Sequence, residues 1–567
     1  MTTRKLAATV ATLAAVALLA TACSSGSSNQ TPTGGTTSAS GGSSSAAATG
    51  QTLTICMPNG PQTNNSNPFL NTASGNSLGY RWAIYEPLAQ VNDTRPANKP
   101  EPWLAKSWEW NTDYTQLKIT ARDNVKWSDG QAFTAADIAF SLQLRKDHDA
   151  LNTEGIPYGD ITTDGDTVTV NFTTGQFVNQ IKILQLFVVP QHIWSTLADP
   201  ETDTNQKPVG TGPYTLTSWT DQAVILDQNP NYWGGKLAVP QLRYTSYSGN
   251  DTETTALATG ECQWGWTFIA DYQTVYVAKD PDHNKAFFPA GLGVDQLILN
   301  QTKAPFNDLA VRKALNMVID RPQASAVAES GIFPEVKNIT GIPTPAGDSF
   351  IADAYKDQNY KVDVDGAKKV LTDAGYKYDG DKLIGKDGKQ VSFTLQVPAG
   401  WNDYVTSQQL IAQSAQSIGM DAQVQTPTAD AWTDALNKGD FDASLHWTNT
   451  GVTPWEMYSN MFDPAYYTPV GQVANWDLGR YQNADAAAAF KAYTDATDDA
   501  GRKVALDKIQ KIFVEDVPAI AVDARPAGAE YSTKYYVGWP SDDSDYANPQ
   551  PTVANATWIL TKLTPAG

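Results

Sequence analysis

Residues 115–144 read "TQLKITARDNVKWSDGQAFTAADIAFSLQL", and their reading decides the fold class. Leu117, Ile119 and Ala121 share one face at a period of two, the pattern of a half-buried strand. Asp129-Gly130 marks a turn. Thr134 and Asp137 then make a capping box that opens a helix with an apolar face. A strand, a turn and a capped helix in one short run point to a mixed α/β chain.

The same grammar recurs outward from this stretch. In "DGDTVTVNF" (164–172) a turn precedes a strand with Val168, Val170 and Phe172 on one face. In "NDLAVRKALNMVIDRP" (307–322) Asp308 caps a helix whose Val311, Ala314, Leu315, Val318 and Ile319 point one way, and Pro322 stops it. "DVDGAKKVLTDAGY" (363–376) repeats the design, with Ala367, Val370, Leu371 and Ala374 inward and Gly375 as the stop. Strands and helices mix throughout, so the class is α/β or α+β. At 567 residues the chain is too long for one core and predicts two or more domains.

Acids outnumber bases 60 to 40, a formal net charge of −20. That balance argues against nucleic acid and against a polybasic membrane surface, since both need clustered Lys and Arg. Its plain reading is solubility.

The N-terminus reads as a targeting device. Arg4 and Lys5 precede an apolar run from Leu6 to Leu19, too short for a membrane span, which ends at "LLATAC". This resembles a lipobox, in which residues 1–22 are removed and Cys23 is acylated, although Ala20 stands where Leu is usual. Ordinary cleavage without a lipid is the alternative. Residues 23–50, nearly all Ser, Gly, Thr and Ala and without a charge, cannot bury enough apolar area to fold. As a slack tether they would span about 30 Å. Export permits a disulfide between Cys56 and Cys262, but two buried free thiols are the simpler expectation.

Catalytic and metal motifs are not found. The chain has no HExxH, no Cys-x-x-Cys and no Gly-x-Ser-x-Gly elbow, and its four histidines, at 148, 192, 283 and 446, stand far apart. "GDKLIGKD" (380–387) has Asp387 where a P-loop needs Ser or Thr, and reads as a hairpin turn. "DVDG" at 363 lacks the third ligand position of a calcium loop, and "SDDSD" (541–545) reads as a solvated loop. No enzyme activity, cofactor or metal is expected.

Seven segments in order carry a resemblance: "YEPLAQVN" (85–92), "PWLAKSWEW" (102–110), "DNVKWSDGQAFTAADIAFSLQ" (123–143), "VGTGPYTLTSW" (209–219), "NPNYWGG" (229–235), "APFNDLAVRKALNMVIDR" (304–321) and "DVDGAKKVLTDAGY" (363–376). Together they resemble the family 5 solute-binding proteins of ABC importers, the oligopeptide- and dipeptide-binding group, over about 52–560. In "VGTGP", Gly210, Gly212 and Pro213 are read as a sharp turn into a strand. Tyr232 and Trp233, with Trp103, Trp108, Trp127 and Trp219, are read as scaffold.

The resemblance implies a two-lobed periplasmic-binding-protein fold of type II, the large peptide-binding kind. It would comprise lobe I over 52–78, 206–300 and 526–567, an inserted subdomain over 79–205 and lobe II over 301–525. It also implies a monomer that closes by a hinge on an oligomeric solute and delivers it to ABC permease subunits. With the lipid at Cys23, the place would be the outer face of the cell membrane.

In the peptide-binding members, one segment reads approximately Trp-x-x-Asp-x-x-x-Pro, and its acid holds the peptide's amino group. The matching residues here, in "HWTNTGVTPW" (446–455), are Trp447, Thr450 and Pro454, so the acid is absent. A buried ammonium without a partner costs several kcal/mol. Glu456 or Asp430 could stand in. Members also carry "GE-x-D" where Gln263 stands. Two missing charges favour a neutral oligomer, and some segments resemble a subgroup that takes oligosaccharides. A sugar offers an apolar face to aromatic rings and a rim of hydroxyls to neutral polar groups. The candidate ligand-binding residues are therefore Trp447, Trp432, Trp264, Trp266, Trp401 and Trp455, with Thr448, Asn449 and Thr450; each tryptophan could equally be core. Oligopeptides remain the alternative guest.

Overall fold

The computed structural model describes residues 50–95 and 98–567. The proposed signal peptide, the linker up to Thr49 and the lipidation site Cys23 lie outside the described residues. The opening stretch forms the strand Gln116–Ala121 and the helix Ala135–Asp147. Leu117 and Ile119 are buried, and the Thr134 amide donates to Asp137 Oδ2 at 2.8 Å, closing the capping box. Asp308 and Asp363 likewise cap Leu309–Val318 and Val364–Asp373 by accepting from Ala310 N and Gly366 N. Within 380–387, read as a hairpin turn, Gly380 and Asp381 turn between the paired strands Lys377–Asp379 and Lys382–Ile384.

Three sheets organise the chain. A seven-stranded sheet runs in the spatial order Asn284–Phe287, Ala529–Ser532, Trp264–Gly265, Leu53–Met57, Gln241–Ser246, Val224–Gln228, Tyr214–Trp219. A five-stranded sheet runs Asp421–Gln425, Ser392–Gln396, Ala443–Trp447, Ala290–Leu299, Ala519–Pro526. The third, Ala105–Trp110, Gln116–Ala121, Thr167–Phe172 and Tyr158–Asp164, lies wholly within the segment expected as an insertion. The two larger sheets are the cores of two lobes, each packed on its own apolar cluster.

The chain passes between the lobes twice, and the passages lie side by side. Phe287 pairs with Ala529 on the first-lobe side, Ala290 with Pro526 on the second, and Ala527 N donates to Pro289 O between them at 3.1 Å. The expected boundary at residue 300 put Ala290–Leu299 in lobe I. All its strand partners lie in the second sheet, so the passage comes before this strand rather than after it.

Two further expectations change. Cys56 and Cys262 form a disulfide, not two free thiols. The strand Leu53–Met57 runs parallel to Trp264–Gly265, which brings the two Cα atoms to 6.1 Å, within bridging reach. Gly210 and Gly212 serve close approach rather than a turn: Gly212 N donates to Ile84 O at 2.8 Å, and a Cβ on Gly212 would lie 2.5 Å from Ala83 O. "YEPL" holds a residue that motif reading passed over. Glu86 is fully buried and accepts from Trp103 Nε1 (2.7 Å), Tyr232 Oη (3.2 Å) and Trp233 Nε1 (3.0 Å), so the aromatic scaffold closes on one carboxylate.

Candidate functional site

A cavity of about 740 Å³ lies between the lobes and is lined by both of them and by the inserted subdomain. That volume falls within the about 300–1,000 Å³ range of ligand pockets. The lobes touch on both sides of it. On one side Asn250 N donates to Gly400 O (3.1 Å), Asn250 Nδ2 to Asp403 Oδ1 (3.2 Å), Asn402 Nδ2 to Asp251 Oδ1 (2.8 Å) and Trp401 Nε1 to Pro58 O (3.3 Å). Gly249 sits so close to Gly400 that a Cβ there would come within 2.6 Å of its carbonyl oxygen. On the other side Lys182 of the subdomain meets Glu456 at 3.2 Å, and Arg502 lies 3.7 Å from the Phe177 ring centroid.

The structure divides the candidate tryptophans. Trp266, Trp401, Trp447 and Trp455 line the cavity. Trp266 stacks across the gap on Phe333, with the planes 2° apart. Trp455 stacks on Tyr493, and its buried Nε1 has no partner among the described residues. Trp264 and Trp432 lie instead in the cores. Trp264 is fully buried, donates to Pro549 O at 2.9 Å and packs on Trp539. It and Trp266 do not share a face, because the strand ends at Gly265. Trp432 donates to Ser444 Oγ at 2.8 Å and buttresses Trp401 and Trp447 from behind.

The hydroxyl and amide residues divide too. Thr448 prolongs the ladder, its amide donating to Val294 O and its hydroxyl accepting from Val294 N, and it is nearly buried. Thr450 lies over Gly291, where a Cβ would come within 2.4 Å of its methyl. The side-chain amide of Asn449 lines the cavity and makes no hydrogen bond among the described residues. His446 is neutral: burial pushes its imidazole down to about 4, and Nδ1–H donates to Trp447 O at 2.7 Å. It covers one face of Trp447 at 4.1 Å, and the Arg525 guanidinium stands 5.2 Å from the Trp447 ring centroid. Gln263 is outside the cavity, where it accepts from Thr54 N at the sheet, so its lack of charge says nothing about the guest.

The wall of the cavity carries charges of both signs. Asp93, Glu154, Asp403 and Glu456 stand in the wall, as do Arg81, Arg145, Lys182 and Arg525. Sequence reasoning named only Glu456 of these; Asp430 is exposed and away from the cavity. Each wall carboxylate already has a partner. Glu456 and Glu154 share Lys182 (3.2 and 3.7 Å), Asp93 accepts from Asn548 (2.9 Å) and Asp403 from Asn250. Burial pushes Asp93 and Asp403 up to about 6. Arg525 is held by Asp295 (3.0 Å) and Tyr404 Oη (2.9 Å). Arg81 and Arg145 donate to main-chain carbonyls and lie against Phe187. Such an arrangement can enclose and orient a solute.

Comparison with known proteins agrees with this geometry. Residues 99–468 match the family described as bacterial extracellular solute-binding proteins, family 5 middle. Protein XP55 of Streptomyces lividans is 26% identical over 71% of this chain and 72% of its own. Among solved structures, a periplasmic oligopeptide-binding protein of Thermotoga maritima bound to mannohexaose superposes with a TM-score of 0.81 at 23% identity, covering 91% of this chain and 98% of that one. The oligopeptide-binding protein AppA of Bacillus subtilis, in complex with a nonapeptide, gives 0.77 at 19%, covering 92% and 99%. The match spans more than half of the chain, and the two-lobed architecture is that of the matched structures. The chain belongs to the family 5 bacterial extracellular solute-binding proteins, which are binding proteins of ABC importers and not enzymes.

Proposed function

We propose that this protein captures an uncharged oligomer, an oligosaccharide before an oligopeptide, in the cavity between its lobes and delivers it to an ABC import permease. The observation that carries this reading is that every wall carboxylate is already partnered within the protein, while position 450, where the peptide binders carry their acid, is a threonine packed on the hinge strand. Trp266, Trp401, Trp447 and Trp455 supply aromatic surface, and Asn449 supplies an amide that has no partner among the described residues. A relative of the same fold holding mannohexaose supports the reading. In it, lobe I takes 52–78, 206–289 and 527–567, the subdomain 79–205, and lobe II 290–526. The chain acts as a monomer, held to the outer face of the cell membrane by a lipid at Cys23.

A second reading, peptide capture, is favoured by Asp403. Its partner Asn250 is neutral, so an ammonium group could displace that amide. Calorimetry of the purified chain against mannohexaose, other hexasaccharides and a nonapeptide pool separates the two. Heat from a saccharide supports the first; tight peptide binding without any saccharide response replaces it with the second. Membrane fractionation of Cys23→Ala tests the anchor: release into the medium is expected, and retention would refute acylation.

A further inference from the structure

The second lobe hides a group of acids beside the passage between lobes. Asp295 and Asp523 stand directly opposite each other on the antiparallel strands Ala290–Leu299 and Ala519–Pro526, and both are fully buried. Like charges in such a pair repel. Glu329, also fully buried, follows the helical segment Ala324–Ala328 and accepts from Ser407 Oγ at 3.0 Å. Asp403 completes the group from the first turn of the helix Asn402–Ser417.

Against these four carboxylates stands one guanidinium, Arg525, bonded to Asp295 and to Tyr404 Oη. Of the other charged neighbours only Arg321 attracts one of them, Asp523, and it makes no hydrogen bond to that acid. Arg321 is spent on Ala521 O and Asn316 Oδ1, His446 is neutral, and Glu335 and Asp251 add negative charge. Asp295 Oδ2, Glu329 Oε2 and both oxygens of Asp523 are buried without a hydrogen-bond partner. Burial, with the neighbouring acids, pushes Glu329 and Asp523 well above the usual carboxylate range.

Asp403 is the member that the lobes themselves cover. It lines the cavity, its side-chain partner Asn250 belongs to the first lobe, and its flanking residues Gly400 and Asn402 bond to Asn250 and Asp251. Separating the lobes removes that cover and admits water. We propose that closure of this protein is proton-linked: bringing the lobes together buries Asp403 against Asn250 beside acids that already outnumber their arginine, so the closed form takes up a proton and weak acid favours it. The inference rests on the closure reading above, though not on which solute is taken.

Burial first, and then the nearby Asp295, push Asp403 up to about 6 in the closed form against the opposing pull of Arg525 and the Asn250 amide. With an ordinary value near ~4 when the lobes part, the gain is complete below ~4 and is lost as pH rises through about 6. For one such group the closed-to-open ratio is about tenfold higher at pH 5 than at pH 7.5. The coupling reaches the solute site through Arg525, which the acids hold beside the Trp447 ring.

Single-molecule fluorescence transfer on the full, solute-free chain tests this, with dyes at the exposed positions Lys236 and Lys438, one on each lobe. The expected result is an about tenfold rise in the closed-to-open ratio from pH 7.5 to pH 5, abolished in Asp403→Asn. Should that variant fail to fold, Asp403→Ser is expected to abolish it as well. A ratio independent of pH in the wild type, or a dependence that survives in the variants, overturns the proton link and leaves closure standing. One distance at every pH overturns both.

Discussion

Trp447 and Trp432 are fifteen positions apart and look alike in sequence, yet one lines the cavity and the other fills a core behind it. Their truncations should therefore separate. Trp447→Ala should weaken solute affinity by about 1–3 kcal/mol, as aromatic anchors do, with little change in the urea midpoint. Trp432→Ala should lower folding stability by about 3–5 kcal/mol, read from urea denaturation. The reverse pattern would exchange their roles. Tryptophan is amphipathic and serves both places, which is why the sequence left each open. The charged wall residues were missed for a different reason. Sixty acids give no hint of which ones meet. A signal did exist in "AIAVDARP" (519–526), where Asp523 and Arg525 interrupt an apolar strand at a period of two, and in "GVDQLIL" (293–299), where Asp295 does the same. Charges on the inner face of an otherwise apolar strand demand partners, and the partners of Asp295, which are Arg525 and Tyr404, line the cavity.

At the scale of elements, local chemistry was legible. The capping box at Thr134–Asp137, the caps at Asp308 and Asp363 and the 377–384 hairpin all depend on contacts within a few residues, so sequence spacing reveals them. Long-range pairings were not legible. The parallel neighbours Leu53–Met57 and Trp264–Gly265 set the disulfide, and nothing local at Cys56 or Cys262 reports that adjacency. The same holds for the strand 290–299, whose partners come about 150 and 230 residues later. Closing a loop of 206 residues restricts the unfolded chain, so Cys56→Ser with Cys262→Ser should cost about 2–5 kcal/mol of stability. Equal denaturation midpoints with and without reductant would contradict this.

At the scale of the whole molecule, the family resemblance carried the two lobes and the cleft, whereas periodicity alone stopped at a mixed α/β chain. The charge distribution became visible only in three dimensions, and it predicts a pH profile. Burial raises Glu86 to about 7, Glu530 to about 8 and Asp463 to about 6, against ~4 in the unfolded chain. Raised acids contribute stability that is present below ~4 and lost as pH climbs through the folded values. Asp308 and Asp442, held low by Lys386 and Lys303 despite partial burial, lose theirs in strong acid. The melting temperature should therefore fall steadily from pH 5 to pH 8, followed by calorimetry, and a flat profile would mean that these acids are hydrated. The most direct measurement is a crystal structure of the chain with mannohexaose in the cavity. The expected density is a saccharide enclosed by both lobes against Trp447 and Trp266, with Asp403 still bonded to Asn250. A crystal that excludes the saccharide and instead shows a peptide whose amino terminus is clamped by Asp403 would contradict it.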